Sequence, residues 1–249
     1  MDTSGGSRQR LDQWLVEHGV YASRARARDA ILRGEVLVSG RPAAKPGQIV
    51  EAGDAVEVSD PARGFVSRSA LKLAAALDAF SLSPEGADCL DVGASTGGFT
   101  EVLLQRGAAR VIALDVGHGQ LAPSIAGNPR VISMEGVNAR ELTPGDLPYQ
   151  PNLIVADVSF ISLKLVLPPV LALATAAAAG AFLIKPQFEV GRQHVGKGGL
   201  VRDEAVALAA VSGIEALVQS LGWRLLGRTP SPIAGGDGNR EYLIGVRRG

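Results

Sequence analysis

The stretch Cys89 to Thr100, CLDVGASTGGFT, constrains the fold more than any other part of the chain. An apolar run ending in Asp91 and Val92, broken at once by Gly93, predicts a buried strand that turns sharply at its carboxyl end. Gly97 and Gly98 then open a helix predicted over 99–106. Strand, glycine turn and helix start together set bare backbone N–H groups beside a ligand, at the sheet end where open α/β folds bind cofactors. Three readings of the turn compete. A dinucleotide turn has the pattern G-x-G-x-x-G, and Ser95 at the second glycine position fits it poorly. Gly93 to Gly97, GASTG, matches the G-x-S-x-G elbow of serine hydrolases, with Ser95, Asp157 and His194 following in triad order. The third reading is an S-adenosylmethionine turn, in which small residues wrap the amino acid part of the cofactor and no phosphate is held.

Downstream, apolar runs alternate with helical patterns. RVIALDVG ends in Asp115, RVISMEGVNAREL carries a turn at Val137 and Asn138, and NLIVADVSFISL places Asp157 just beyond a strand. AFLIKPQFEVG puts Lys185 at another strand end, because proline has no N–H for a ladder. A glycine-rich loop with His194 and Lys197, an amphipathic helix and a closing hairpin follow, with Glu241 at the start of the hairpin's second strand. This alternation predicts a mostly parallel sheet covered on both faces, a Rossmann-like α/β fold. The hydrolase reading suffers here. Only one strand of the domain precedes Gly93, and no HGGG-like oxyanion segment lies upstream.

Residues 165–184 carry no charge over about the length that spans a bilayer. Pro168 and Pro169 suit the first turn of a helix and Gly180 suits its C′ position, so the stretch reads as a helix followed by a buried strand. Residues 1–10 lack the apolar core of a signal peptide and read as a floppy tail. The single cysteine, Cys89, falls inside an apolar run and fits a reducing compartment. The expectation is therefore a cytoplasmic, monomeric protein with no membrane partner and no metal. A formal net charge of zero means that nucleic-acid binding has to come from local clustering of arginine.

Such a cluster lies near the amino terminus. Leu11, Trp14 and Leu15 share one helical face, and Ser23 caps a second helix, ARARDAILRG, on which Arg24 and Arg28 share a face with Arg26 to one side. Short strand-like runs, VLVSG and QIVEAGDAVEVS, complete a small α+β module over residues 8–60. RLDQWLVEHGVYASRARARDAILRGEVLVSGR followed by AGDAVEV resembles the S4-like RNA-binding domain. The resemblance implies RNA contacts at Arg24, Arg26, Arg28 and Arg33, with Arg63 and Arg68 beyond the module; the plain alternative is a surface face paired with Asp29 and Glu35. Residues 61–66 read as a linker, with Gly64 and Phe65 as a hinge, and residues 67–249 as the second domain.

SRSALKL, DVGASTGGFT, LDVGHGQL, ADVSFISL, IKPQFEVGR and GNREYLIG make this second domain resemble the FtsJ-like ribose 2′-O-methyltransferases. With the S4-like module ahead of it, the whole chain resembles the TlyA family, which methylates ribosomal RNA and is sometimes labelled hemolysin. The resemblance implies S-adenosylmethionine as cofactor and ribosomal RNA, cytidine in the small and/or large subunit, as substrate. It places Gly93, Ser95, Gly97, Gly98 and Phe99 at the methionine part, Asp115 at the ribose, Val137 and Asn138 near adenine, and Asp157 at the cofactor's border. It also implies a catalytic tetrad, Lys72, Asp157, Lys185 and Glu241. A ribose hydroxyl attacks an electrophilic methyl group only while its proton is leaving, so Lys185 receives that proton or steers the oxygen, Lys72 keeps the surroundings cationic, and the two carboxylates orient the amines. A non-catalytic RNA-binding protein, the serine hydrolase and a pore-forming hemolysin are the competing functions.

Overall fold

The computed structural model describes residues 8–249, so the expectation for residues 1–7 lies outside the described residues. The chain forms two compact units, which meet in sequence at Gly64 and Phe65.

In the first unit, β1 (Gln9–Arg10), α1 (Leu11–Glu17) and α2 (Arg24–Leu32) precede four short strands, β2 (Val36–Val38), β3 (Arg41–Pro42), β4 (Ile49–Val50) and β5 (Val56–Val58). β1 pairs with β4, and β2 lies between β3 and β5, all antiparallel. The Ser23 hydroxyl accepts from the Arg26 N–H, the capping bond that a serine ahead of a helix predicts. Leu11, Leu15, Ala27, Ile31, Val36 and Val50 close a small core. Ala62 is buried, and the Arg26 guanidinium donates to the carbonyls of Ala62 and Arg63 at 3.2 and 3.3 Å. The first half of the stretch expected as a linker is thus tied to the first unit.

The second unit comprises α3 (Ala70–Ala79), β6 (Asp88–Val92), α4 (Gly98–Gln105), β7 (Arg110–Asp115), α5 (Pro123–Ala126), β8 (Val131–Glu135), β9 (Leu153–Ala156), α6 (Leu163–Ala172), β10 (Ala179–Ile184), α7 (Pro186–Glu189), α8 (Glu204–Ser220), β11 (Trp223–Pro230) and β12 (Tyr242–Arg248). Its strands form one sheet in the order β11-β12-β10-β9-β6-β7-β8. The five from β10 to β8 run parallel, while β12 is antiparallel to β10 and to β11. Alternate side chains of the central strands feed two cores. Leu90, Ile154 and Phe182 pack with α6 and α8 on one face. Cys89, Val155 and Leu183 pack with α3 and α4 on the other. The parallel strands are therefore apolar on both faces, which is why their sequences read as continuous apolar runs.

Strand order reverses between β6 and β9, since β7 and β8 build outward on one side and β10 and β12 on the other. The crevice beyond the carboxyl ends at such a reversal is where open α/β sheets take ligands.

Two expectations fail between residues 165 and 184. The helix begins at Leu163, so Pro168 and Pro169 fall in its interior instead of its first turn. Ser162 caps it, accepting from the Lys164 N–H, and the Glu189 carboxylate takes the Leu163 N–H at 2.7 Å. The carbonyls that lose partners to the prolines belong to the exposed Lys164 and Leu165, which water can satisfy. Gly180 lies inside β10, where a Cβ would stand 2.6 Å from the Phe182 ring and 3.0 Å from the Ile154 carbonyl. Close strand packing, and no helix cap, explains it.

Candidate active site

The site forms where β6 and β9 separate. Gly93 follows β6 with φ +84°, and a Cβ there would come within 2.6 Å of the Asp157 carbonyl, so glycine is what lets the two strand ends close up. The Asp157 N–H donates to the Val92 carbonyl and fixes Asp157 beside the turn. Ser95 sits in the left-handed region at φ +48°, which aims its N–H at Asp115 Oδ2, 2.8 Å away. Asp115 Oδ1 accepts from the Gly117 N–H at 2.7 Å. The carboxylate at the end of β7 thus ties the glycine turn to the next loop.

Around this frame lies a cavity of about 630 Å³, lined by Gly93, Ser95, Asp115, Gln120, Val137, Asn138 and Asp157 among others. That is the size of a small-molecule or cofactor pocket. It holds a carboxylate suited to a ribose diol, apolar walls from Val116, Val158, Phe160 and Ile161 suited to a flat base, and a turn of small residues at Gly93 to Ser95. A smaller adjoining cavity is lined by Ser67, Ser69, Gly93, Ser95, Phe99, Asp157 and Lys185. The small-residue turn, the Asp115 carboxylate and the apolar walls fit S-adenosylmethionine.

The four tetrad residues come together as two pairs. Lys72, on α3, and Glu241, just before β12, are 5% and 3% exposed, and Lys72 Nζ lies 2.5 Å from Glu241 Oε2. Lys185, at the end of β10, lies 2.6 Å from Asp157 Oδ1 and donates to Ser159 Oγ at 2.7 Å. The Lys185–Asp157 contact is an ion pair outside hydrogen-bond alignment. Pro186 at the first position of α7 keeps β10 from running past Ile184 and leaves Lys185 at the junction of strand and helix, as the Lys-Pro pair predicts. Lys185 faces both the adjoining cavity and a third one of about 450 Å³, lined by Ser159, Phe160, Gln187, Phe188, Asp237 and Glu241. One amine therefore stands between a cofactor-sized space and a second, more open space. The rings of Phe160 and Phe188 are 5.2 Å apart at the mouth of the latter, and Phe160 is 91% exposed with φ +63°.

Beneath the glycine turn, Asp91 is fully buried. Burial pushes its carboxyl up to about 7 against the 2.6 Å hydrogen bond from Thr100 Oγ1, and the nearby Asp157 charge adds to the rise.

The structure redistributes several expected roles. Gly97 and Gly98 do not line the cavities. A Cβ on Gly97 would meet Leu121 and Ile125 at 3.0 Å, and one on Gly98 would stand 2.3 Å from Ser69 Oγ, so both serve close packing around the start of α4. Asn138 lines the cavity but also shapes its turn, accepting from the Arg140 N–H and donating to Glu141. In the first unit Arg33 is only 15% exposed in its side chain and pairs with Asp29, Glu35 and Asp60, so its guanidinium is engaged within the module. Arg24 pairs with the buried Asp12 at 2.9 Å. Arg63 donates to the Val20 carbonyl, and Arg68 is half-buried. Arg28 is exposed. The sequence reading missed Gln120, Phe160, Ile161 and Phe188, all within a few residues of a strand end, which is the signal that would have found them. No hydrogen bond joins Ser95 or Asp157 to His194 among the described residues, and Asp157 is taken by Lys185, so the hydrolase triad does not form.

A model of the FtsJ-like methyltransferases matches residues 65–248, and a model of the S4 domain matches residues 9–56. The chain belongs to the FtsJ-like methyltransferase family. Within it, the 16S/23S rRNA (cytidine-2′-O)-methyltransferase TlyA of Mycobacterium tuberculosis is 47% identical over 96% of this chain and 90% of its own length. Hemolysin A of Brachyspira hyodysenteriae is 39% identical over 94% and 98%. A solved structure from Streptococcus thermophilus, described as a candidate hemolysin, is 36% identical with a TM-score of 0.77, over 97% of this chain and 88% of its own. Among the described residues no helix is long and apolar enough to cross a membrane.

Proposed function

We propose that this FtsJ-like enzyme transfers a methyl group from S-adenosylmethionine to the ribose 2′-hydroxyl of cytidine in ribosomal RNA, of the small and/or large subunit, and that it works as a cytoplasmic monomer. The observation that carries the reading is Lys185, paired with Asp157 and facing both the cofactor-sized cavity system and the open cavity beside it. The cofactor supplies an electrophilic methyl group on a sulfonium. Asp115 binds the ribose of that cofactor, and Gly93 and Ser95 border its methionine part. Lys185, held by Asp157 and Ser159, lines the open cavity in which the 2′-hydroxyl is received. As an ammonium it steers the oxygen and stabilises the charge that builds there; as an amine it receives the hydroxyl proton. The buried Lys72–Glu241 pair keeps the second acid fixed in the wall of the substrate cavity. Phe160 and Phe188 offer the target base an aromatic face, and such stacking stabilises a base by about 1–3 kcal/mol. A nucleotide unpaired from its helix can enter this way at a cost of a few kcal/mol.

Ribosomal RNA from cells lacking the protein, incubated with purified enzyme and labelled methyl donor, should acquire 2′-O-methylcytidine. Lys185→Ala should lower the transfer rate by about 10²–10⁴-fold while binding of S-adenosylhomocysteine stays within about twofold. Full activity of that variant removes Lys185 from the mechanism. Binding of RNA with no methyl transfer by the wild type makes the chain a silent RNA-binding protein.

A further inference from the structure

We infer that the loop of residues 191–202, between α7 and α8, is a second RNA-backbone grip, holding phosphates next to the target nucleotide through Arg192, Lys197 and Arg202. The inference rests on the proposed function and adds a contact surface on the methyltransferase unit itself.

Four observations converge. Residues 191–202 carry three cations and no Asp or Glu, the flanking acids being Glu189 of α7 and Asp203, which is engaged in capping α8, in a chain whose formal net charge is zero. All three cations are exposed, and none makes an ion pair among the described residues. Arg10, Arg24 and Arg33 of the first unit, by contrast, are each committed to a carboxylate at 2.8 to 3.0 Å. Val195, Gly198 and Gly199 of the loop line the cavity that also holds Lys185 and Glu241, and Lys197 is the chain neighbour of Gly198.

The loop's shape is also fixed from within the fold. Asn239, 2% exposed and two residues before Glu241, donates through Nδ2 to the Gly199 carbonyl at 2.8 Å and accepts at Oδ1 from the Val201 N–H at 2.9 Å. Its Nδ2 also donates to Asp237 Oδ2, which in turn accepts from Gln187 Nε2. The Gly196 N–H closes the turn on the Leu200 carbonyl. A glycine-rich segment with both amide groups of a buried asparagine bound to its backbone is positioned relative to Glu241, so its charges meet the strand without first being ordered. Phosphates are the partner that this chemistry selects, because exposed cations with no carboxylate partner attract the nucleic-acid backbone irrespective of sequence.

The test measures binding of the full-length protein to a fluorescent oligocytidylate of about twelve nucleotides across a series of salt concentrations. Replacing Arg192, Lys197 and Arg202 together by Gln should make the plot of log affinity against log salt shallower by about 2, each lost phosphate contact on a single strand being worth about 0.7. S-adenosylhomocysteine affinity should not change. A charge-keeping variant, Arg192→Lys with Lys197→Arg and Arg202→Lys, should keep the wild-type slope. The inference is overturned by a wild-type slope in the Gln variant, by an equal loss in the charge-keeping variant, or by a parallel loss of S-adenosylhomocysteine binding, which would mark a folding defect. Absence of methyl transfer by the wild-type protein would sink the proposed function instead, and leaves the slope comparison readable.

Discussion

At the scale of single residues, the unusual feature is a lysine and a glutamate almost wholly removed from water and bound to each other across 169 positions of sequence. An ion pair in such a place gains little net stability, because desolvation offsets the attraction; removing one partner alone leaves an uncompensated charge. Lys72→Met should therefore destabilise the fold by about 3 kcal/mol in denaturant titrations. Lys72→Met with Glu241→Gln should recover most of that loss, since neither side chain is then charged, and still fail to methylate RNA. A single variant losing under about 1 kcal/mol would show that the pair is hydrated in solution. The four residue types were legible from their motifs, yet the partners were not. Lys72 lies on a helix whose apolar stripe gives it no reason to be buried until Glu241 arrives from the far end of the chain. Asp91 was equally hidden. Its place in an apolar strand read as a strand end, whereas the fold seals it under the turn with Thr100 as its hydroxyl donor.

At the scale of elements, the strand-turn-helix unit was the most readable part, because an apolar run, a residue needing positive φ and a helix start have to follow one another in sequence. The individual duties of its glycines were not readable. Gly93, Gly97 and Gly98 look alike in the motif, but what each excludes is a neighbour remote in sequence: Asp157, Ile125 and Ser69 respectively. The prolines of α6 were misplaced for a related reason, since the glutamate that fixes the helix start lies 26 residues downstream of Leu163. Gly93→Ala follows from this geometry. It forces a side chain into the left-handed region and against the Asp157 backbone, which should lower stability by about 1–3 kcal/mol and weaken S-adenosylhomocysteine binding by calorimetry. Gly64→Ala is the matched control. Nothing lies within 4 Å of the added carbon, and stability should stay within about 0.5 kcal/mol.

At the scale of the whole molecule, a net charge of zero says nothing about where positive charge is available, because that depends on which arginines the fold has already engaged. In the first unit Arg33 is engaged fully. Asp60, its partner at 2.8 Å, is also held by the Tyr21 hydroxyl and the Ala62 N–H. Burial pushes the Asp60 carboxyl upward, but Arg33, the Ala62 N–H and Tyr21 together overcome it and hold the carboxyl below its ordinary value. The sign follows: this contribution to stability is full above the unfolded carboxyl's pKa of about 3.9 and is lost as pH falls through the lower folded value. Arg28 lies on the same helix, exposed and with no ion pair among the described residues. The two therefore respond oppositely to truncation. Arg33→Ala should lower the melting temperature and flatten the acid limb of stability, because Asp60 is left buried without its cation. Arg28→Ala should leave melting unchanged and reduce the salt dependence of RNA binding by about 0.7–0.9 in log-log slope. If Arg33→Ala instead melts like the wild type and alters only the RNA slope, the arginine that the S4-like resemblance assigned to RNA is a contact after all, and the Asp60 network is incidental.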